Sequence, residues 1–158
     1  MKSNPKIRIE RYHDISCGHR VVGHESKCRF LHGHNYRITF TCEANSLDSI
    51  GRVVDFSALK FTVCKWLEDN WDHKFLVWKN DHLMRSVYGE LPENGMPTED
   101  LMDLRESIVF LPFNPTAENM AEYLLNHVAP SYFSETGIKV VAVKVEETRK
   151  CSAIAELI

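Results

Sequence analysis

No apolar run in this sequence approaches the length of a membrane span, and the segment from Met1 to Glu10 is polar and charged, without the apolar core of a signal peptide. These absences set the expectation of a cytoplasmic protein. Cysteine is scarce and odd in number: Cys17, Cys28, Cys42, Cys64 and Cys151 follow no regular spacing, which suits free thiols in a reducing compartment and not a disulfide framework. Glycine is limited to 7 residues, none grouped into a phosphate-binding loop, and no internal repeat is present. Excess charge is also missing. A formal net charge of −3 gives no general attraction to phosphate backbones or anionic lipid, so neither nucleic acid nor a membrane surface is an expected partner.

What is present is a composition close to that of ordinary soluble proteins, 44% hydrophobic and 26% charged, over 158 residues. That length fits one domain, residues 1–158, able to bury a core without disulfide or metal staples. Alternation of apolar and polar residues marks strands at Ile7 to Tyr12 and Tyr36 to Ala44, and Arg52 to Phe56 reads as a short third strand. A first helix follows through about Asp69, burying Leu59, Val63, Trp66 and Leu67. A second begins at Asn114-Pro115-Thr116, with Asn114 as cap and Pro115 in the first helical position, and ends at Pro130. Strands at Ile138 to Glu147 and Ser152 to Leu157 close the chain. Strands grouped at both ends with helices between predict an α+β fold, an antiparallel sheet with two helices on one face. Lys79 to Ser107 carries three basic and seven acidic residues together with Pro92, Gly95 and Pro97, and reads as a long solvated insertion that could form a lid.

The chemistry-bearing residues cluster early. In His32-Gly33-His34 the imidazoles are two positions apart, so a strand extended back from Tyr36 would point both to one face. An exposed histidine pair fits that spacing as well as a metal-ligand pair does. A third imidazole from His19 would complete a three-histidine site of the kind zinc uses while keeping a position open. Cys28 precedes His32 in a loop between Lys27 and Arg29, cations that favour a thiolate; alone, it reads more readily as a small buried hydrophobe, and its context with the histidines turns the reading to a reactive thiol. Asp72-His73 has the composition of a carboxylate that orients an imidazole, or of a solvated turn. Glu147 continues the apolar face of Val141, Val143 and Val145, so either it borders a pocket, where it would take the N–H groups of a guanidine-like edge, or the strand frays before it. Glu118, in the first turn of the second helix, suits the helix dipole.

Together these motifs resemble the 6-pyruvoyl-tetrahydropterin synthase family nearly end to end. The resemblance is carried by Cys17-Gly18-His19-Arg20, Cys28-Arg29-Phe30-Leu31-His32-Gly33-His34-Asn35-Tyr36, Gly51-Arg52-Val53-Val54-Asp55-Phe56, Asp72-His73-Lys74, Asn114-Pro115-Thr116-Ala117-Glu118-Asn119 and Val145-Glu146-Glu147-Thr148. It implies zinc on His19, His32 and His34, proton movement by Cys28 with Asp72 and His73, and a pterin anchored by Glu147 with Glu118 and Thr116 nearby. The three residues between Cys28 and His32 match the carboxy-forming branch, since the pyruvoyl-forming branch places more there. The implied reaction converts 7,8-dihydroneopterin triphosphate to 6-carboxytetrahydropterin, acetaldehyde and triphosphate, in 7-deazaguanine (queuosine) synthesis. The implied fold is the tunnelling fold, a barrel joined across subunits, here a homohexamer of two trimers. Formation of 6-pyruvoyl-tetrahydropterin, or a non-catalytic zinc module on the same fold, are the alternatives. Two departures stand out. Ile15 and Cys17 replace the family's usual phenylalanine and alanine, and Cys17 shares strand parity with His19, close enough in pattern to approach the metal. The insertion at 79–107 is also longer than the family core needs.

Overall fold

The computed structural model describes residues 5–89 and 98–158. Its strands are β1 (Ile9–His19), β2 (His32–Ala44), β3 (Phe75–Trp78), β4 (Ile108–Leu111), β5 (Ile138–Thr148) and β6 (Cys151–Glu156). Among the described residues they form one sheet in the order β4-β3-β1-β2-β5-β6. The long strands β1, β2, β5 and β6 are antiparallel, as their alternation predicts, and β3 and β4 extend the sheet in parallel beside β1. The architecture is α+β.

Alternation decides which face is covered. Ile15, Cys17 and His19 of β1 and Tyr36, Ile38, Phe40 and Cys42 of β2 are buried on one face, while Asp14, Ser16, Asn35 and Arg37 point to the other. Over the buried face lie α1 (Phe56–Leu59) and α2 (Lys65–Asn70), joined by a π-helical turn at Lys60–Cys64. Leu59, Val63 and Leu67 are fully buried, each stabilising the fold by about 2 kcal/mol relative to exposure. The later helical region supplies Met120, Leu124 and Val128 to the same core, and Trp71 stacks on Tyr123 with ring centroids 6.2 Å apart.

Four local expectations are corrected. Arg52 to Phe56 is not a strand: Asp48 accepts the N–H groups of Ile50 and Arg52, and Arg52 pairs with Asp48 and Asp55, folding the segment into a turn. Asp55 then caps α1 through the Ser57 N–H at 2.8 Å. Asn114 does not cap the second helical region, because its amide is spent on both backbone groups of Val22, at 3.0 and 2.9 Å. Thr116 caps it instead, and Pro115 lies just before it. Pro130 does not end the helix: it occupies the first turn of a last short one, Pro130–Phe133, where its missing N–H is no loss.

The described part of the insertion at 79–107 has regular structure. It holds α3 (His82–Gly89) and α4 (Thr98–Glu106), and the strands that flank it, β3 and β4, belong to the sheet; Pro92, Gly95 and Pro97 lie outside the described residues. The insertion is tied to the end of β1 by Asp81, 1% exposed, whose Oδ2 pairs with Arg20 Nε at 2.8 Å and whose Oδ1 accepts the Met84 N–H. Removing one partner of so enclosed a pair leaves a buried charge uncompensated. Asp81→Ala is therefore expected to lower unfolding free energy by about 3 kcal/mol in urea titration, whereas Asp69→Ala, which breaks an exposed helix pair with Lys65, should leave the midpoint almost unmoved.

Candidate metal centre and adjoining pocket

The end of β1 and the start of β2 are paired in register, His19 opposite His32 and Cys17 opposite His34, so the three imidazoles converge on the covered face. Gly33 between the two β2 histidines suits the close approach of the strands, since a Cβ there would lie 3.0 Å from the Cys17 carbonyl oxygen. One ligating nitrogen from each of His19, His32 and His34 lies within 4.8 Å of the others.

Hydrogen bonds fix what these nitrogens can do. A carbonyl can only accept, so His19 Nδ1 donates to Pro115 O and His32 Nδ1 donates to Phe30 O, each at 2.7 Å. The Nε2 atoms of both rings then carry lone pairs, and they face each other at 3.1 Å. Two lone pairs at that distance repel; the Tyr36 hydroxyl, 3.2 Å from His19 Nε2, is placed to donate to one of them, and a cation between the rings would satisfy both. The third ring adds to the demand, because His34 Nε2 is buried without a hydrogen-bond partner among the described residues. Burial pushes the His19 pKa down from 6.5 to about 4, with His32 and His34 adding to the shift and the Pro115 carbonyl opposing it; burial also lowers that of His34. Neutral imidazoles oriented by backbone carbonyls are the donor set of a zinc-type divalent site, and the residues present fit such an ion.

This arrangement has a pH signature in the metal-free protein. The unfolded chain takes up a proton at His19 near pH 6.5, whereas the folded chain resists until about pH 4. Stability present above pH 6.5 is thus lost as the pH falls toward 4, and a His19→Gln variant should show a flatter dependence of Tm across that window.

Glu147 is half-buried, with Oε1 3.9 Å from His19 Nε2. Simple alternation does not carry it there: a register shift opposite Thr41/Cys42 puts Val140 in place of Val141 in the core with Val143 and Val145, and Glu147 lies at a second shift against β6. It lines a pocket of about 290 Å³ with Val21, His24, Cys28, Thr116, Glu118 and Cys151. Cys28 is carried by the short helical turn Lys27–Arg29. Its neighbour Arg29 is committed elsewhere, donating to the carbonyls of Glu25 and Ser26 and lying over the Phe30 ring. Cys17 is not part of the histidine cluster. It sits in the core at 5% exposure, and burial, with the charges of Asp72 and Glu147, pushes its thiol up to about 12.

Asp72 and His73 form the expected pair, His73 Nδ1 to Asp72 Oδ2 at 2.8 Å, and they are anchored to β1 through Ser16, whose N–H bonds Asp72 and whose carbonyl accepts from His73 N. His73 holds a left-handed backbone at φ 58° and its side chain is 82% exposed. The pair lines a different cavity, with Ser16 and Asn35 from the uncovered face of the sheet, and is not brought to Cys28 within one chain. Two residues of the Cys28 pocket, His24 and Cys151, carry no motif of their own. His24 is four positions before Cys28 in the same loop, the one signal that could have found it.

A family model described as 6-pyruvoyl tetrahydropterin synthase matches residues 8–157. A curated relative from Rickettsia typhi, named 6-carboxy-5,6,7,8-tetrahydropterin synthase, is 35% identical over 145 residues, covering 92% of this chain and 96% of its own. A solved, uncharacterised protein from Wolinella succinogenes superposes with a TM-score of 0.85 at 26% identity, over 97% of this chain and 99% of that one. The 6-pyruvoyl tetrahydropterin synthase of Plasmodium falciparum, at 20% identity and a TM-score of 0.67 over 98% of this chain and 99% of that one, shares the fold. With the family match spanning nearly the whole sequence, the chain belongs to the 6-pyruvoyl tetrahydropterin synthase family.

Proposed function

We propose that this protein is a zinc-dependent 6-carboxy-5,6,7,8-tetrahydropterin synthase, a lyase that converts 7,8-dihydroneopterin triphosphate to 6-carboxytetrahydropterin, acetaldehyde and triphosphate. The observation that carries this reading is the convergence of three imidazoles, two with unprotonated Nε2 atoms 3.1 Å apart, beside a pocket that holds both a thiol and a carboxylate. The names of the curated relatives at 33–35% identity support the carboxy-forming product.

His19, His32 and His34 would hold zinc, which supplies a Lewis acid that makes protons beside a developing carbonyl easier to remove. Glu147 accepts the N–H groups of the pterin edge bidentately, with Glu118 as a second carboxylate on the same wall. Thr116 contributes chiefly by holding that wall, since its oxygen caps the helix that bears Glu118. Cys28 moves the proton at the substrate side chain. Asp72 and His73 face away from their own chain's Cys28, so we assign them to the Cys28 pocket of a neighbouring copy in a hexamer of two trimers, each chain a single domain of the cytoplasm. The assigned pathway is that of the 7-deazaguanines, such as queuosine. Among the described residues no helix is long and apolar enough to cross a membrane.

Product analysis tests the assignment. The zinc-loaded protein given 7,8-dihydroneopterin triphosphate should release acetaldehyde along with triphosphate. Triphosphate without acetaldehyde would transfer the assignment to the pyruvoyl-forming branch, and neither product would leave a non-catalytic zinc module.

A further inference from the structure

The loop from Arg20 to Leu31, between β1 and β2, is fixed along its length. Val21 N donates to Cys28 O at 2.8 Å and His24 N to Val21 O at 3.3 Å, while the Asn114 side chain holds both backbone groups of Val22. Gly23 makes the turn possible at φ +82°, a left-handed conformation that side chains disfavour. The loop therefore delivers His24 to the pocket in a defined position, half-buried beside Cys28, Glu118 and Glu147.

The hydrogen bonding of His24 is the reverse of that of the metal-site histidines. His24 Nδ1 accepts the Ser26 backbone N–H at 2.9 Å, and a nitrogen that accepts cannot bear the ring proton. The proton sits on Nε2, which makes no hydrogen bond among the described residues. His19 and His32 donate from Nδ1 and present lone pairs, the form that holds a cation. His24 presents an N–H, the form that holds an oxygen. Glu118 and Glu147, on the same wall, are acceptors and cannot serve that purpose.

We propose that His24 is a catalytic residue of this pocket, donating its Nε2–H to the side-chain oxygen of the bound pterin on which negative charge develops. This rests on the pterin lyase reading above and adds a residue and a role to it. A hydrogen bond that strengthens as charge develops lowers the barrier without tightening substrate binding, so its loss acts on kcat and not on KM.

The test compares His24→Ala with His24→Gln, whose side-chain amide can place an N–H where Nε2 was. In the zinc-loaded full chain, His24→Ala should lose about a hundredfold in kcat for acetaldehyde release, with KM, zinc content and Tm close to those of the parent, and His24→Gln should recover at least about tenfold of the loss. An alanine variant that keeps its kcat, one whose loss lies in KM or zinc content, or a glutamine variant no better than alanine would each overturn the proposal while leaving the pterin reading intact. If the parent releases triphosphate without acetaldehyde, the carboxy-forming reading fails, and the same comparison on triphosphate release decides the role of His24. A parent that turns over no pterin overturns both.

Discussion

Replacing His34 with alanine should weaken zinc binding by more than about a hundredfold and reduce pterin turnover to background, since losing a mere orienting partner of a metal ligand already costs about ten- to a hundredfold. His34 Nε2 is buried with no hydrogen-bond partner among the described residues, which leaves it open to an ion. His19 and His32 would still face each other, but two imidazoles hold a divalent ion far less well than three. The check is titration with a chromophoric zinc chelator, paired with melting curves with and without zinc. The parent should gain Tm on zinc addition by mass action, and His34→Ala should not gain it. A variant that still melts higher with zinc and binds it as tightly as the parent would remove His34 from the metal site.

Cys28→Ala should cut kcat by about a thousandfold, within the range expected for losing a positioned proton-transfer group, and leave zinc content and Tm unchanged. Cys17→Ala should leave turnover close to that of the parent, because Cys17 lies in the core with its thiol pushed up to about 12, far from ionising near neutral pH. Thiol labelling separates the two without kinetics. In the folded protein at pH 8, iodoacetamide should modify Cys28 and the exposed Cys151 and spare Cys17 and Cys42, which burial holds equally high. Turnover abolished in Cys17→Ala and retained in Cys28→Ala would reverse the assignment of the reactive thiol.

The parts of the fold legible in the sequence are those where one face is buried. Alternation in β2 gave the sheet and its buried face, in β5 it held for Val143 and Val145 but not for Val141, and helical spacing identified Leu59, Val63 and Leu67. The two short strands stayed hidden for a physical reason. Phe75–Trp78 and Ile108–Leu111 are unbroken apolar runs of four residues, with no alternation to mark them as β, and they pair in parallel across a long separation in sequence. Arg52-Val53-Val54 looked like a strand because β-branched residues suit one, but ion pairs with Asp48 and Asp55 decide its shape. Asn114 is a good cap by residue type, and only its contact with Val22, distant in sequence, takes it away from the helix.

The site was legible in the same uneven way. The spacing of His32 and His34 follows from strand geometry, whereas the strand expected to end at Tyr12 runs on to His19, and that extension is what pairs His19 with His32. The tautomers that make these rings ligands depend on the carbonyls of Phe30 and Pro115, and the second lies 96 residues from His19. The orientation of Asp72 and His73 was not written in their composition. It is set by Ser16, which fixes both to the uncovered face of the sheet.

A crystal structure of the zinc-loaded protein with a bound dihydropterin tests the central claim most directly, because metal, thiol and anchor are observed together. The account predicts an ion held by the imidazoles of His19, His32 and His34, with the pterin's N–H edge on Glu147 and its side chain between the ion and Cys28. A pterin seated away from Glu147, in the apolar cavity beside Phe133 and Leu157, or a metal ion bound without those three histidines, would contradict it.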